Sequence, residues 1–256
     1  MANFLPLKRG MLFCLDQLID AHGARPPFLD VGCGIGDVSL HLAETRGWHG
    51  RAIDVSETAI PRARHLLASQ PGVTVDHQSL DQEVATYSTI VMMDVLEHLE
   101  EDRAALREVA ARLVPGGLVF LTVPSNPREW RWDDVVYGHV RRYRSSELAE
   151  KLREAKLEPV VAIDVTYPVF WMMRRVYTRL LHQPSADAAS PWERTMASTG
   201  VNAWHVPVLG SLLSRGDWLW RQIFRLQYRY CRSRVDDGHE LMIAARKPGS
   251  VIGAHD

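Results

Sequence analysis

The chain has 256 residues, 46% apolar and 24% charged, with a formal net charge of −1; this ordinary balance excludes a disordered, collagen-like or disulfide-scaffold protein and favours one domain carrying a sizeable insertion. The longest apolar run, Tyr167 to Met173, is too short to span a bilayer, and the N-terminus has no signal-peptide core. Cys14, Cys33 and Cys231 form no CxxC pair, so a cytoplasmic protein without a metal centre or disulfide framework is expected.

Met11, Leu12, Leu15, Leu18 and Ile19 recur at helical spacing and stop at Gly23, predicting a first helix. Short apolar runs then predict seven strands: Pro27 to Val31, Arg51 to Asp54, Val73 to Asp76, Thr89 to Met93, Leu118 to Val123, Val160 to Val165 and Glu240 to Ala245. Between them, Leu99, Leu106, Val109, Ala110 and Leu113 line one helix that breaks at Pro115-Gly116-Gly117. Another helix starts at Ser145 or Ser146 as N-cap and turns Leu148, Leu152 and Ala155 inward. Strands alternating with helices predict an α/β fold with a helix-covered parallel sheet.

The alternation lapses before the last strand, giving a core over 1–165 plus 238–248, a helical insertion over 166–237 and a tail over 249–256. Residues 166 to 238 hold ten arginines against Asp187, Glu193, Asp217, Asp236 and Asp237, five positive charges in excess. Five of the eight tryptophans, Trp171, Trp192, Trp204, Trp218 and Trp220, fall in the same stretch. Within it, Leu219, Ile223, Leu226 and Tyr230 form an apolar stripe beside Arg221, Arg225 and Arg229, so the 215–234 helix is a candidate for peripheral membrane contact, an amphiphilic acceptor or plain packing.

The sharpest motif is Asp30-Val31-Gly32-Cys33-Gly34-Ile35-Gly36-Asp37, a strand entering a loop of alternating glycines before a helix. Without Cβ atoms, Gly32, Gly34 and Gly36 let the backbone turn tightly against a ligand, with Cys33 among them. Asp37 stands where a dinucleotide fingerprint needs its third glycine, so a pyrophosphate would be repelled, whereas Asp30 suits a ligand with a cationic ammonium. Asp54, beside Val55 and 18 residues after Gly36, ends the second strand where a carboxylate accepts both ribose hydroxyls. Asp81 is placed for an adenine amino group, and Met93 and Asp94 for packing around the base or the substrate mouth.

Phe28 to Asp37, Ala52 to Ser56, Met93-Asp94-Val95-Leu96-Glu97-His98-Leu99 and Leu113-Val114-Pro115-Gly116-Gly117 occur in the order found in class I S-adenosylmethionine-dependent methyltransferases, a family this chain resembles over about residues 25 to 165 and the last strand. The resemblance implies a Rossmann-like sheet of order 3-2-1-4-5-7-6 with its last strand antiparallel and the insertion between strands six and seven. It also implies S-adenosylmethionine as cofactor, held by Asp30, Gly32, Cys33, Gly34, Gly36, Asp54, Val55, Asp81, Met93 and Asp94.

Methyl transfer needs a base only when the acceptor still carries its proton, and His98 and His139 are the candidates. Asp94-Val95-Leu96-Glu97-His98 is similar to a motif of ubiquinone-biosynthetic O-methyltransferases that has been associated with a divalent ion, although a structural or cofactor-facing His98 is the expectation taken. Gly138-His139-Val140-Arg141-Arg142-Tyr143 follows the fifth strand, at the sheet edge where ligands sit, so His139, Trp130, Trp132, Arg141, Arg142, Tyr143 and Trp171 are expected around a small-molecule acceptor. A non-catalytic adenosylmethionine-binding protein and a nicotinamide-dependent oxidoreductase are the competing readings. Nucleic acid is not expected as a partner, since the body is mildly acidic.

Overall fold

The computed structural model describes residues 6–180, 190–198, 217–231 and 234–249. Seven strands form one sheet of order β3-β2-β1-β4-β5-β7-β6: β1 Phe28–Val31, β2 Gly50–Asp54, β3 Val73–His77, β4 Tyr87–Met93, β5 Leu113–Pro124, β6 Glu158–Asp164 and β7 Glu240–Arg246. The first five pair in parallel, and β7 runs antiparallel to both β5 and β6.

Because side chains alternate across a strand, each strand feeds two cores. Phe28, Ala52, Val91, Phe120 and Met242 face one side, where α1 (Pro6–His22) and α2 (Asp37–Arg46) lie. Leu29, Ile53, Ile90, Val119, Leu121 and Ile243 face the other, beneath α4 (Asp102–Arg112) and α6 (Ser145–Glu154). Burial on both faces explains why these strands read as continuous apolar runs. Helix α3 (Ala59–Leu66) follows β2, and the short α5 (Trp132–Tyr137) follows β5.

Two local expectations change. Pro115-Gly116-Gly117 does not end a helix before the strand but lies within β5, because Leu113 already pairs with Tyr87 across a register shift. Ser145 begins α6, yet its amide and hydroxyl both donate to the Asp236 carboxylate, at 2.9 and 2.6 Å, so the cap comes from the far end of the insertion.

The insertion between β6 and β7 contributes α7 (Val169–Leu180), α8 (Pro191–Ser198) and α9 (Asp217–Cys231). Phe170, Trp220 and Phe224 form a small third core that leans on α1, where Gly10 allows the Phe224 ring close approach. Trp204, the tail beyond Gly249 and residues 215, 216, 232 and 233 of the expected basic helix lie outside the described residues. No described helix is long and apolar enough to cross a membrane.

Candidate functional site

The carboxyl ends of β1, β2, β4 and β5 converge on one edge, as ligand sites in open parallel sheets do. Gly32, Gly34 and Gly36 all have positive φ, at 67°, 54° and 89°. A Cβ on Gly32 would sit 2.4 Å from Val95 Cγ2, so a side chain there is barred by the loop after β4. A Cβ on Gly34 would meet nothing within 4 Å, leaving that backbone open to a ligand.

Asp54 binds this loop from the next strand: Oδ2 accepts the Gly34 amide at 2.7 Å and Oδ1 the Ser56 amide at 2.7 Å. Each oxygen keeps a lone pair for a ribose hydroxyl. Asp30 lies beneath the loop, 1% exposed, and accepts the Ser39 hydroxyl at 2.6 Å. Burial pushes its pKa to about 6. Cys33 is also buried, and burial raises its thiol well above the usual range. Asp37 presents a buried Oδ1 with no hydrogen-bond partner, an acceptor where a pyrophosphate would need donors. Met93 is buried at the end of β4; Val55, Asp81 and Asp94 are exposed along the same edge.

Asp94 adopts φ 57° and accepts the Thr122 hydroxyl at 2.5 Å. A non-glycine residue held there is strained, and such strain clusters at ligand sites. Glu97 and Glu240 stand near it, both raised well above the usual carboxylate range by burial first and by Asp94 second. The carboxyl groups gathered at this edge offer acceptors and none of the donors that a phosphate needs. The glycine cradle, the Asp54 lone pairs and this acceptor-rich edge therefore fit the expected adenosyl sulfonium cofactor.

The second half of the site lies across the loop after β4. Helix α5 ends at Gly138, φ 77°, and this turn folds His139 back over its own helix, so that the His139 amide bonds Asp134 O at 2.9 Å. His139 Nδ1 consequently lies 2.9 Å from Asp134 Oδ1. The Asp134 carboxylate also accepts Arg142 Nε at 2.8 Å, Arg174 Nη2 at 2.9 Å and the Arg131 amide at 2.8 Å. Burial pushes its pKa up, but the bonds from His139 and the two arginines outweigh burial and hold it well below the usual range. An ionised Asp134 orients the imidazole with Nδ1–H toward itself and leaves Nε2 bare.

His139 Nε2 and His98 Nε2 each lie 3.9 Å from the same Glu97 oxygen, and the two rings are 5.0 Å apart. Both Glu97 carboxyl oxygens are buried without a hydrogen-bond partner. Glu97, His98 and His139 are thus a donor set able to hold a divalent ion, an arrangement the sequence alone did not lead us to expect. His98 differs from His139 chemically: burial, and then the neighbouring His139, lower its pKa to about 4. It stays neutral at neutral pH and is a weak base.

Several expected acceptor contacts belong to the scaffold. Tyr143 is fully buried, its hydroxyl donating to Asp102 Oδ2 at 2.9 Å, and Arg142, 7% exposed, also bonds Ser125 O at 2.7 Å. Neither can touch an acceptor, because no face of either is open. Arg141 turns to Asp102 Oδ2, at 2.9 Å, and Glu100 O. Trp132 donates to Thr178 O of α7 at 2.9 Å, and Trp171, itself on α7 beneath the Arg175 guanidinium of the same helix, donates to Glu129 Oε1 at 3.3 Å, so both bonds dock α7 while the two rings remain part-exposed. Trp130 alone of this group is largely exposed. Sequence reading gave Asp134 and Arg174 no role and met Glu97 only as part of the Asp94–His98 motif; the Asp-x4-His spacing across a helix-ending glycine was the available signal for Asp134.

A family profile described as "Methyltransferase domain" matches residues 7–162. Ubiquinone biosynthesis O-methyltransferase from Idiomarina loihiensis is 34% identical over 119 residues, 44% of this chain and 48% of that protein. The protein of the same name from Marinobacter nauticus is 30% identical over 174 residues, 60% of this chain and 71% of that one. The chain therefore spans between about half and 71% of these relatives' lengths. Among solved structures, N-methyltransferase NodS from Bradyrhizobium japonicum with S-adenosyl-L-homocysteine aligns at TM-score 0.55 and 17% identity, covering 95% of this chain and 88% of that one, a likeness of fold.

Proposed function

The chain belongs to the class I S-adenosylmethionine-dependent methyltransferase family, and on that premise we propose that it methylates a hydroxyl oxygen of a small-molecule acceptor. The observation that carries this reading is the 2.9 Å bond between the buried Asp134 carboxylate and Nδ1 of half-buried His139, which leaves Nε2 to face an acceptor. An amine acceptor brings its own lone pair, whereas a hydroxyl needs its proton removed, and such a pair serves that need. When bound, the cofactor supplies an electrophilic methyl on a sulfonium. His139 Nε2 would take the hydroxyl proton as the oxygen displaces the methyl from sulfur, the broken carbon–sulfur bond leaving S-adenosylhomocysteine, and Asp134 would stabilise the resulting imidazolium. Asp54 and the glycine loop hold the adenosyl moiety, and Trp130 borders the acceptor. The names of the curated relatives, which are O-methyltransferases, support the choice of oxygen.

The acceptor is amphiphilic in this reading. Met172, Val176 and Leu180 form an exposed apolar row on α7, and Trp218, Leu219, Leu226 and Tyr230 are exposed on α9 beside Arg221, Arg225 and Arg229. A second reading follows from the Glu97 oxygens that lack a hydrogen bond: a divalent cation on Glu97, His98 and His139 would lower the proton affinity of the acceptor oxygen. The experiment is a panel of phenols and amines of graded alkyl length, with release of S-adenosylhomocysteine measured with and without Zn²⁺, Mn²⁺ or Mg²⁺. Turnover of phenols, rising with chain length, is expected. Turnover of amines alone removes the hydroxyl reading, and binding of cofactor with no turnover on any class removes catalysis.

A further inference from the structure

The two histidines are held from behind by the insertion. Arg174 on α7 is 4% exposed and forks onto Asp133 through Nε at 2.7 Å and Nη2 at 2.6 Å, while Nη2 also reaches Asp134 Oδ2 at 2.9 Å. Arg142 holds the other oxygen, Oδ1, the one that faces His139. The carboxylate is thus gripped at both oxygens by planar guanidinium groups and cannot rotate away from Nδ1. Independently, Thr195 on α8 places Oγ1 2.9 Å from His98 Nδ1 and 3.0 Å from Pro191 O. If the Thr195 hydroxyl donates to Pro191 O, it accepts from His98 Nδ1–H, and His98 Nε2 is also left bare toward Glu97. Gly138 makes this approach feasible: a Cβ there would lie 2.2 Å from Pro191 O and 2.5 Å from Thr195 Oγ1.

We propose that the insertion is a tautomer-setting part of the site, with Arg174, acting through Asp134, and Thr195, acting directly, as positioning residues that turn both Nε2 atoms toward Glu97. Neither touches the acceptor. The inference builds on the hydroxyl-acceptor reading for its kinetic consequence but not for its spectroscopic one. It also holds whether the bare nitrogens serve a proton or a cation, because both need the lone pair.

The test uses the full chain labelled with ¹⁵N at histidine, with long-range proton–nitrogen spectra that distinguish Nδ1–H from Nε2–H imidazoles. The wild type should show both His139 and His98 as Nδ1–H tautomers, assigned by His139→Gln and His98→Gln. Arg174→Lys keeps the charge but cannot reproduce the fork, and should shift His139 toward a tautomer mixture. Thr195→Val is nearly isosteric and should shift His98 alone. Affinity for S-adenosylhomocysteine should stay within twofold of wild type in both. On the phenolic acceptor, Arg174→Lys should lower kcat at least tenfold with little change in KM. Wild-type-like histidine spectra in both variants overturn the proposal whatever the activity does. Shifted spectra with unchanged phenol turnover support the positioning role and instead refute His139 as the base. Should Arg174→Lys fail to fold, Thr195→Val alone decides through the His98 signal.

Discussion

Replacing Asp134 by Asn perturbs the centre of the buried network and gives two readouts with different causes. The carboxylate accepts Arg142, Arg174, His139 and the Arg131 amide, and its side chain has no exposed surface. Removing its charge leaves two buried guanidinium groups short of a partner, a change that typically costs about 3 to 5 kcal/mol. For a chain of this size each kcal/mol moves Tm by about 2 to 4 °C, so the variant should melt roughly 6 to 20 °C lower at pH 7. The pH dependence has a definite sign. The folded pKa is depressed, so the stabilisation is present above the unfolded value near 3.8 and is lost as pH falls through the lower folded value. The Tm gap should therefore be constant from about pH 5 to 8 and close below about pH 4. Asn can also turn its amide toward His139 and select the wrong tautomer, so kcat on a phenolic acceptor should fall by ~10² to 10⁴. Calorimetric melts across pH and steady-state kinetics check both effects. A variant with a Tm within 2 °C of wild type and unchanged kcat refutes the structural and catalytic roles together.

Three further outcomes follow from the same geometry. Asp54→Ala should weaken S-adenosylhomocysteine binding at least tenfold by titration calorimetry, since each lost charge-assisted hydrogen bond is worth roughly 1.5 to 3 kcal/mol. Glu97 has a folded pKa raised by burial and then by Asp94, so its neutral form stabilises the fold below about pH 4.5 and that stability is lost as pH rises toward the folded value. Glu97→Gln should accordingly melt higher than wild type at pH 8 without metal and equally at pH 4, while added Zn²⁺ or Mn²⁺ should raise Tm only in the wild type. Replacing Arg221, Arg225 and Arg229 by Gln should weaken binding to anionic phosphatidylserine vesicles by about two orders of magnitude in flotation, at about 1 kcal/mol per charge, and leave cofactor affinity unchanged.

The sheet order and the cofactor edge were legible because their signals are local and repeated. A doubly buried strand must be apolar throughout, a loop with three positive-φ positions must be glycine-rich, and the acid ending β2, Asp54, reaches that loop through the Gly34 amide. The long β5 and the α6 cap were not, since each depends on a partner distant in sequence: Tyr87 for Leu113, and Asp236 for Ser145. The acceptor half was legible only as a pattern. Gly138 to Tyr143 marks a built loop, yet the sequence cannot say that Arg142 and Tyr143 turn inward while Trp130 stays out.

The choice between His98 and His139 as base shows where sequence reasoning stops. Both are histidines near a strand end, and both face Glu97. What separates them is which group stands behind the ring: a carbonyl and a hydroxyl for His98, an ionised carboxylate for His139. A carboxylate favours the imidazolium that proton abstraction creates, whereas burial without one drives His98 down to about 4. That carboxylate is kept ionised by Arg142, 8 residues along the chain, and by Arg174, 40 residues along and inside the insertion. The orientation of His139 is therefore set partly by a segment whose sequence reads only as aromatic and basic, and which packs against α5 solely in the folded chain.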